Sequence, residues 1–200
     1  MAKPLTKAQN TLNRILDAAL ACYEQSGISG TRLEDVAKSA GIGRTTLYRY
    51  VKNRDDLLNQ VIQRDALAQR DEMEVLNRYL DNLADSLVES TVMVLRGRRT
   101  RPINRLLFGM EENAMIDRIN LSPSSFSALT EALLTTQFNN ALARGEIREG
   151  VTLAQASVWV ARITLSLVTY PEEFLNDEDS LRQYLRTFLV PSLVKDATAT

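Results

Sequence analysis

An all-α fold is predicted by three features of the 200-residue chain. Apolar residues recur at helical spacing along its length, whereas no segment shows the strict alternation of a convincing strand. Ser, Thr, Asn or Asp stands before several of these apolar stretches, where each can cap a helix. Glycine or proline follows several of them, where each can end a helix. Together these signals divide the chain into about nine helices.

The first helix is predicted to begin at Thr6 and to end at Gly27. Thr6 and Gln9 have the spacing of a capping box, in which each side chain accepts from the other residue's backbone amide. Gly27 can adopt the left-handed conformation that commonly terminates a helix.

The segment 31–57 contains two short predicted helices around Gly41, followed by the start of a longer one. Thr31 and Glu34 have the spacing of a second capping box, and Gly41 permits a sharp turn. Residues 44–50 then form a short helix that exposes Arg, Thr and Tyr. Side chains of these types read the major groove, so the segment is predicted to be a DNA-binding helix-turn-helix.

The predicted DNA contacts are polar side chains at or near the starts of these helices. They are Thr31, Arg44, Thr45, Thr46, Tyr48, Tyr50, Lys52 and Arg54. Lys3, Lys7 and Arg14 could add phosphate contacts. The alternative is a basic face that is merely solvated.

The same segment resembles the N-terminal domain of the tetracycline-repressor (TetR) family. The resemblance rests on the pattern Ala-Gly-Ile-x-x-x-x-Leu-Tyr-x-Tyr and on the Asp-Asp-Leu-Leu opening of the following helix. It covers about the first quarter of the chain. Two positions depart from the family: Gly43 stands where Ser is common, and Val51 where Phe is usual.

The resemblance implies two domains, a helix-turn-helix domain over 1–53 and a helical effector-binding and dimerisation domain over 54–200. It implies a homodimer, paired through the last two helices, that binds a near-palindromic operator on double-stranded DNA. The function implied is a transcriptional repressor that a small molecule releases. Activation remains an alternative because it depends on the operator's position. A DNA-bound regulator or structural protein without an effector is the other alternative.

The remaining helices are marked by caps and breakers. Asn53 can cap one helix, Pro123 suits a first helical position, and Thr152 with Gln155 repeats the capping-box pattern. Pro191 should kink or end the last helix. The predicted spans are 54 into the seventies, 75–96, 103–115, 122–144, 152–170 and 177 onward.

Methionine and aromatic side chains on these helices could form an adaptable pocket for an apolar or amphipathic effector, although most such residues are plain core. The candidates are Met73, Met93, Phe108, Met110, Phe126, Trp159 and Arg162. Arg162 interrupts an apolar helix, so it is expected to be buried with a partner, either in an ion pair (internal or at a dimer interface) or as an anchor for an acidic ligand. Leu165, Leu181, Leu185 and Phe188 form stripes that suit a dimer interface or the monomer core.

Composition narrows the function further. The chain contains no histidine and one cysteine, Cys22, which argues against an internal disulfide, a metal site, a cofactor and general-base catalysis. Cys22 itself suits a small core residue better than a redox sensor. We therefore expect no enzymatic activity. The sequence contains neither a recognisable signal peptide nor a membrane-spanning segment, so we expect a cytoplasmic protein.

Charge is distributed unevenly along the chain. Residues 1–54 contain nine Lys or Arg and four Asp or Glu, whereas the remainder is acidic. A basic N-terminal segment followed by an acidic remainder is typical of a protein that contacts nucleic-acid phosphates through its N-terminal part only. The arginine run at 96–101 can complement a helix dipole, form an anion-binding site or contact DNA.

Overall fold

The computed structural model describes residues 6–107, 123–170 and 172–195. The predicted all-α class is confirmed. None of the helices in these ranges is long and apolar enough to cross a membrane. The helices are α1 (Lys7–Gly30), α2 (Leu33–Ser39), α3 (Arg44–Leu47), α4 (Arg54–Asn77), α5 (Leu83–Thr100), α6 (Pro102–Leu107), α7 (Pro123–Ala143), α8 (Leu153–Thr169), a 3-10 helix (Glu173–Asn176), α9 (Glu178–Phe188) and α10 (Val190–Leu193).

The first packed unit comprises residues 1–67 and 101–119. Its core includes Ile15 of α1, Leu47 of α3 and Leu57 of α4, all of them inaccessible to solvent. Ile103 of α6 joins the same core, so a segment far along the chain completes this unit. The predicted functional boundary between residues 53 and 54 stays a prediction.

The second packed unit comprises residues 68–100 and 120–200. Within it α7 packs on α8, and α5 packs on α9. Leu83, Leu181 and Leu185 lie at the centre of its core. From the sequence, Leu181 and Leu185 could belong either to a dimer interface or to the monomer core. Their complete burial assigns both to the monomer core.

Two predicted capping boxes are confirmed. Thr6 Oγ1 accepts from the Gln9 amide at 3.2 Å, and Gln9 Oε1 accepts from the Thr6 amide at 2.8 Å. Thr152 and Gln155 make the same pair of bonds at 3.3 and 3.0 Å. Gly27 interrupts α1 as predicted, with φ 71° and ψ 162°, a conformation that is essentially restricted to glycine.

The predicted helix over 75–96 was wrong at both ends. The preceding helix, α4, continues to Asn77, and Asn82 starts α5 by accepting from the Asp85 amide through Oδ1 at 2.8 Å. At the other end, α5 passes through Gly97 and reaches Thr100. Gly97 is buried, so the missing side chain permits close packing instead of ending the helix.

Residues 102–107 form α6, and the rest of the predicted span 103–115 lies outside the described residues. Pro191 behaves as predicted, since α9 ends at Phe188 and α10 contains the proline in its first turn. The chain after α10 forms an isolated antiparallel bridge between Ile147 and Val194. This bridge ties residues 193–195 to the loop between α7 and α8.

Candidate DNA-binding interface

The turn between α2 and α3 holds together the two helices of the predicted helix-turn-helix. We call this part of the protein, residues 31–57, the reading head. Gly41 has φ +63°, its amide donates to the Lys38 carbonyl at 3.1 Å, and the Ile42 amide donates to the Ala37 carbonyl at 3.0 Å. These bonds make a Schellman ending of α2. Arg14 Nη2 also donates to the Ala40 carbonyl at 2.5 Å, so a side chain of α1 fixes this turn from the side.

The short helix predicted over 44–50 is the recognition helix of the motif. It is shorter than predicted, but it exposes the predicted polar side. The α-helix spans Arg44–Leu47, and hydrogen-bonded turns continue the coil to Tyr50, in place of one helix over 44–50. Leu47 is fully buried, as predicted, and Val51 beyond it is 1% exposed. Gly43 occupies the N-cap position, where a Ser side chain could cap the helix and glycine cannot. The buried pair anchors this short coil and leaves its other side to solvent.

The exposed side of this coil carries most of the predicted DNA contacts. Arg44, Thr45, Tyr48 and Lys52 are exposed, while Thr46 is half-buried. Tyr50 is also half-buried and packs against the core of the first unit, so packing accounts for part of its role. The sequence prediction omitted Arg32 and Arg49, both exposed basic residues of this head. Their charge and their proximity in sequence to α2 and α3 could have revealed them.

Arg44 is held by two neighbours on the exposed surface. Its Nη2 lies 3.2 Å from Glu34 Oε1, and its guanidinium carbon lies 5.5 Å from the centre of the Tyr48 ring. The Tyr48 hydroxyl and then the Glu34 charge raise the pKa of Arg44, so it remains a cation. The guanidinium is therefore oriented before any ligand arrives.

The capping box predicted for Thr31 and Glu34 was wrong. Arg32 occupies the N-cap position of α2 and makes no side-chain cap. Thr31 is 4% exposed, and its hydroxyl donates to the Gly27 carbonyl at 2.8 Å. Glu34 turns instead towards Arg44. Because the Thr31 hydroxyl is buried and engaged, its predicted contact with DNA stays a prediction without geometric support.

Arg54 stabilises the packing of the reading head. Its Nη2 donates to the carbonyls of Ile28 and Ser29, at 2.9 and 2.7 Å. This contact joins the start of α4 to the end of α1. Asn53 caps α4 as predicted, since its Oδ1 accepts from the Asp56 amide at 2.8 Å. The phosphate contact predicted for Arg54 would have to use its remaining donors.

A cleft of about 580 Å³ opens beside these residues. Arg32, Lys52 and Arg54 bring positive charge to it, and Tyr48 lies on the side of the recognition helix. Buried Tyr23 also lines it, and desolvation raises the pKa of Tyr23 to about 12 while the Arg54 charge opposes the rise. The cleft thus combines three cationic side chains with one carboxylate, Asp55, and a neutral phenol, so its positive excess suits a phosphate.

The effector-pocket candidates that the structure describes differ in burial, and their common pocket stays a prediction. Met73 of α4 is buried, and Met93 of α5 is half-buried. Trp159 is 42% exposed on α8, and its indole N–H donates to Ser192 Oγ at 2.9 Å. Phe108 and Met110 lie outside the described residues, as does the Phe126 side chain.

Arg162 is not buried within the single chain, and the alternative of burial in a dimer interface stays a prediction. It is exposed on α8 because the buried positions of that helix lie on its other side. The buried positions are Ala156, Ser157, Val160, Ala161, Thr164, Leu167 and Val168. An apolar helix can therefore carry an arginine on a face that the monomer does not cover.

The arginine run at 96–101 belongs to the protein's internal contacts. Arg96 makes two bonds of 2.7 Å to the Glu178 carboxylate, Arg99 donates to the Asn176 carbonyl at 3.0 Å, and Arg101 lies 2.8 Å from Asp65. Desolvation and the neighbouring Arg99 lower the pKa of Arg98. Among the described residues, no group of three or more His, Cys, Asp or Glu side chains is placed to hold a metal.

Comparisons with known proteins agree with this geometry. Residues 15–61 match the family model of bacterial regulatory proteins of the tetR family. The N-terminal segment of this chain is a TetR-family domain. The protein is a DNA-binding transcriptional regulator, and the matched segment covers α2, α3 and their supports.

Two relatives match nearly the whole chain. An uncharacterized HTH-type transcriptional regulator of Mycobacterium tuberculosis (strain ATCC 25618 / H37Rv) is 28% identical, over 94% of this chain and 87% of the relative. The regulator UidR of Escherichia coli (strain K12) is 27% identical, over 92% and 93%. The solved structure of RolR with resorcinol has a TM-score of 0.70 at 15% identity, over 94% of this chain and 89% of RolR. That likeness establishes a shared fold.

Proposed function

We propose that this protein is a homodimeric repressor that binds a near-palindromic operator and is released by an apolar or amphipathic small molecule. The observation that carries the proposal is the recognition coil, whose buried Leu47 leaves Arg44, Thr45 and Tyr48 exposed together. Arginine and threonine side chains of such a coil contact base edges, and tyrosine can bond phosphates. Lys52 and Arg32 supply phosphate contacts from the adjoining cleft.

Selection of duplexes from a random library, followed by fluorescence anisotropy, tests sequence-specific binding. Arg44→Ala should lower affinity for the selected duplex about 5- to 150-fold and relax its base preference. Lys52→Ala should weaken selected and random duplexes alike and reduce the salt slope by about one phosphate. Arg70→Ala, which removes the same charge from α4 in the second unit, is the matched control and should change neither. Equal binding by all four proteins would refute the interface.

The dimer is proposed to form through α8 and α9. Val158 and Trp159 on α8 and Phe188 on α9 are 40%, 42% and 63% exposed, and large apolar side chains so exposed suit a partner surface. Phe188→Asp should therefore convert the dimer into a 22.4 kDa monomer in sedimentation. Leu142→Asp, on α7, replaces a similarly exposed apolar residue and serves as the control. A wild-type protein that sediments only as a monomer at micromolar concentration would refute the dimer.

The effector is proposed to bind among the helices of the second unit. RolR, which shares the fold, has been solved with resorcinol, a small aromatic molecule. The α4 helix is continuous from Arg54 to Asn77, and it begins beside the recognition coil while its later residues, including buried Met73, belong to the second unit. A ligand that displaces the later part of α4 would alter the reading head, provided that it binds the DNA-incompetent state more tightly.

Coupling of this kind is reciprocal. A coupling of about 1–3 kcal/mol lowers operator affinity about 5- to 150-fold, and the operator must lower effector affinity by the same factor. A thermal-shift screen of small aromatic and amphipathic compounds would identify a ligand, which is then titrated with and without the selected duplex. Equal ligand affinities would refute the coupling, and a screen without a ligand would favour a regulator that has no effector. We expect no turnover of the compounds that bind.

A further inference from the structure

We propose that Arg44 and Glu34 read one G·C base pair together, with Glu34 accepting a hydrogen bond from the cytosine amine. This inference rests on the proposed DNA binding and names the base pair that the head selects. Although they belong to different helices, Arg44 Nη2 and Glu34 Oε1 lie 3.2 Å apart. Their side chains are 67% and 52% exposed, so both can reach a ligand.

The pair is complementary to the major-groove edge of G·C. That edge presents two acceptors, guanine N7 and O6, followed by one donor, the cytosine N4 amine. A guanidinium has five donors, so the ion pair with Glu34 leaves enough of them to reach N7 and O6. The Glu34 carboxylate then lies beside the position of the cytosine amine. In a G·C pair the cytosine N4 amine donates to guanine O6 at about 2.9 Å, so two groups 3.2 Å apart can address these two atoms of a single pair.

The charge of Glu34 explains why it would select a base. A carboxylate placed among phosphates and stripped of water is unfavourable unless it accepts hydrogen bonds. Base edges in the major groove offer such donors only from cytosine and adenine amines. Where Arg44 contacts a guanine, the amine that lies next to the contacted atoms is that of its paired cytosine. A base that presented an acceptor to Glu34 would be rejected.

The structure also holds the two side chains in place. Leu33, next to Glu34, and Leu47, one turn after Arg44, are buried in the core of the first unit. The bonds at Gly41 and Ala40 fix α2 relative to α3. The Tyr48 ring lies against the guanidinium at 5.5 Å. Little side-chain ordering remains to be done on binding, which favours specificity.

The test uses the full chain and its selected duplex. At each G·C pair of a half-site, cytosine is replaced by N4-methylcytosine, which removes the amine hydrogen that faces the groove and keeps the base pair. In separate duplexes, 5-methylcytosine adds a methyl group to the groove and keeps that hydrogen. At one pair, wild-type affinity should fall about 5- to 150-fold with N4-methylcytosine and little with 5-methylcytosine. Replacing the guanine of that pair by 7-deazaguanine removes N7 and should also weaken binding.

Three variants complete the design. Glu34→Ala should bind the N4-methylated and unmodified duplexes equally, while it remains sensitive to 7-deazaguanine. Glu34→Gln should broaden the preference towards adenine, because glutamine pairs with adenine N6 and N7. Asp35→Asn removes an adjacent exposed carboxylate and should leave the base preference unchanged. Thermal unfolding of each variant establishes that the head remains folded.

Two results would overturn the inference. One is a wild-type protein indifferent to N4-methylcytosine at every G·C pair of its site. The other is a Glu34→Ala protein as sensitive to that base as the wild type. A wild-type protein that selects no sequence at all would instead refute the proposed DNA-binding function, so the two failures are distinguishable.

Discussion

Arginines in the two packed units are used in opposite ways. Arg44 in the first unit contacts one side of the Glu34 carboxylate and keeps 67% of its side chain exposed. Arg182 on α9 of the second unit is 29% exposed and bonds to Glu89 at 2.9 Å, to Asp179 at 3.1 Å and to Glu178 at 3.3 Å. The hydrogen bonds to Glu89 and Asp179 and the surrounding charges raise the pKa of Arg182.

This difference indicates how charge is divided between recognition and stability. An arginine whose donors are already satisfied by carboxylates has little left for a ligand, whereas one with free donors can exchange solvent for a base. Replacing a surface arginine of the first unit should therefore weaken DNA recognition. Replacing an arginine that is bound to carboxylates in the second unit should lower stability. Each of the following predictions tests that division.

The largest effects should come from the two cores. Leu47→Ala and Leu185→Ala each remove a completely buried side chain and should cost about 2–5 kcal/mol of unfolding free energy in their own units. Trp159, the chain's single tryptophan, belongs to the second unit and reports on it by fluorescence in urea. Its transition should shift strongly with Leu185→Ala and weakly with Leu47→Ala. Equal shifts would show that the units unfold as one.

Alkaline pH should destabilise the first unit through Tyr23. Burial raises the pKa of Tyr23 to about 12, so the folded state favours the neutral phenol. The resulting stability is complete below the unfolded pKa near 10 and is lost as pH rises towards 12, by roughly 2–3 kcal/mol. Urea unfolding followed by circular dichroism measures this loss. Tyr23→Phe cannot ionise and should remove that part of the pH dependence; an unchanged profile would contradict the assignment.

The two arginines should give opposite results when each is replaced. Arg182→Met leaves Glu89, which is 25% exposed, without its partner and should cost about 1–3 kcal/mol of stability. Arg44→Ala removes a surface group and should change stability by less than about 0.5 kcal/mol while weakening the selected duplex. Denaturation and anisotropy measured on both variants compare the two outcomes. A stability loss at Arg44 as large as that at Arg182 would remove the distinction.

Acid should act mainly on the second unit. The hydrogen bond from Arg96 lowers the pKa of Glu178, and that from Arg186 lowers the pKa of Asp85. Carboxyl groups with lowered pKa values stabilise the fold above their unfolded pKa, and this contribution disappears as pH falls through the folded value. The Trp159 transition should therefore shift to lower urea below about pH 4. Glu178→Gln should reduce the shift, and a wild-type transition independent of pH would contradict it.

The smallest effect concerns Gly43. Its φ of −74° suits any residue, and a Cβ there would meet no atom within 4 Å. Gly43→Ser can supply the missing cap and should stabilise the first unit by about 0.3–1 kcal/mol. Gly145→Ser in the second unit is the matched comparison, because its φ of +74° strains any side chain and should make that variant less stable. Thermal unfolding distinguishes the signs, and stabilisation by both would contradict this explanation.

Local structure could be predicted from the sequence where residues close together in the chain determine it. The boxes at Thr6 and Thr152 formed because every group involved lies within one turn. The same pattern failed at Thr31, where the Gly27 carbonyl and Arg44 competed for the two side chains. Such competition depends on how helices pack, which local spacing does not encode.

The predicted DNA-binding site shows the same limit. Position and charge identified Arg44 and Lys52 as exposed residues of the head, but they could not show that Arg54 would turn back to the carbonyls of Ile28 and Ser29. Likewise, the apolar character of α8 suggested that Arg162 was buried, although that helix leaves one face exposed. Composition predicts which helices are apolar, whereas packing decides which face is covered.

The bridge between Ile147 and Val194 has a consequence for the order of folding. The Arg148 amide donates to the Leu193 carbonyl at 3.0 Å, and the Lys195 amide donates to the Glu146 carbonyl at 2.8 Å. These bonds join segments far apart in the chain, so they gain nothing until the intervening helices have closed the loop. They should form late in refolding. In hydrogen exchange, the amides of Arg148 and Lys195 would then acquire protection after those within α8, and would lose it first when the unit opens.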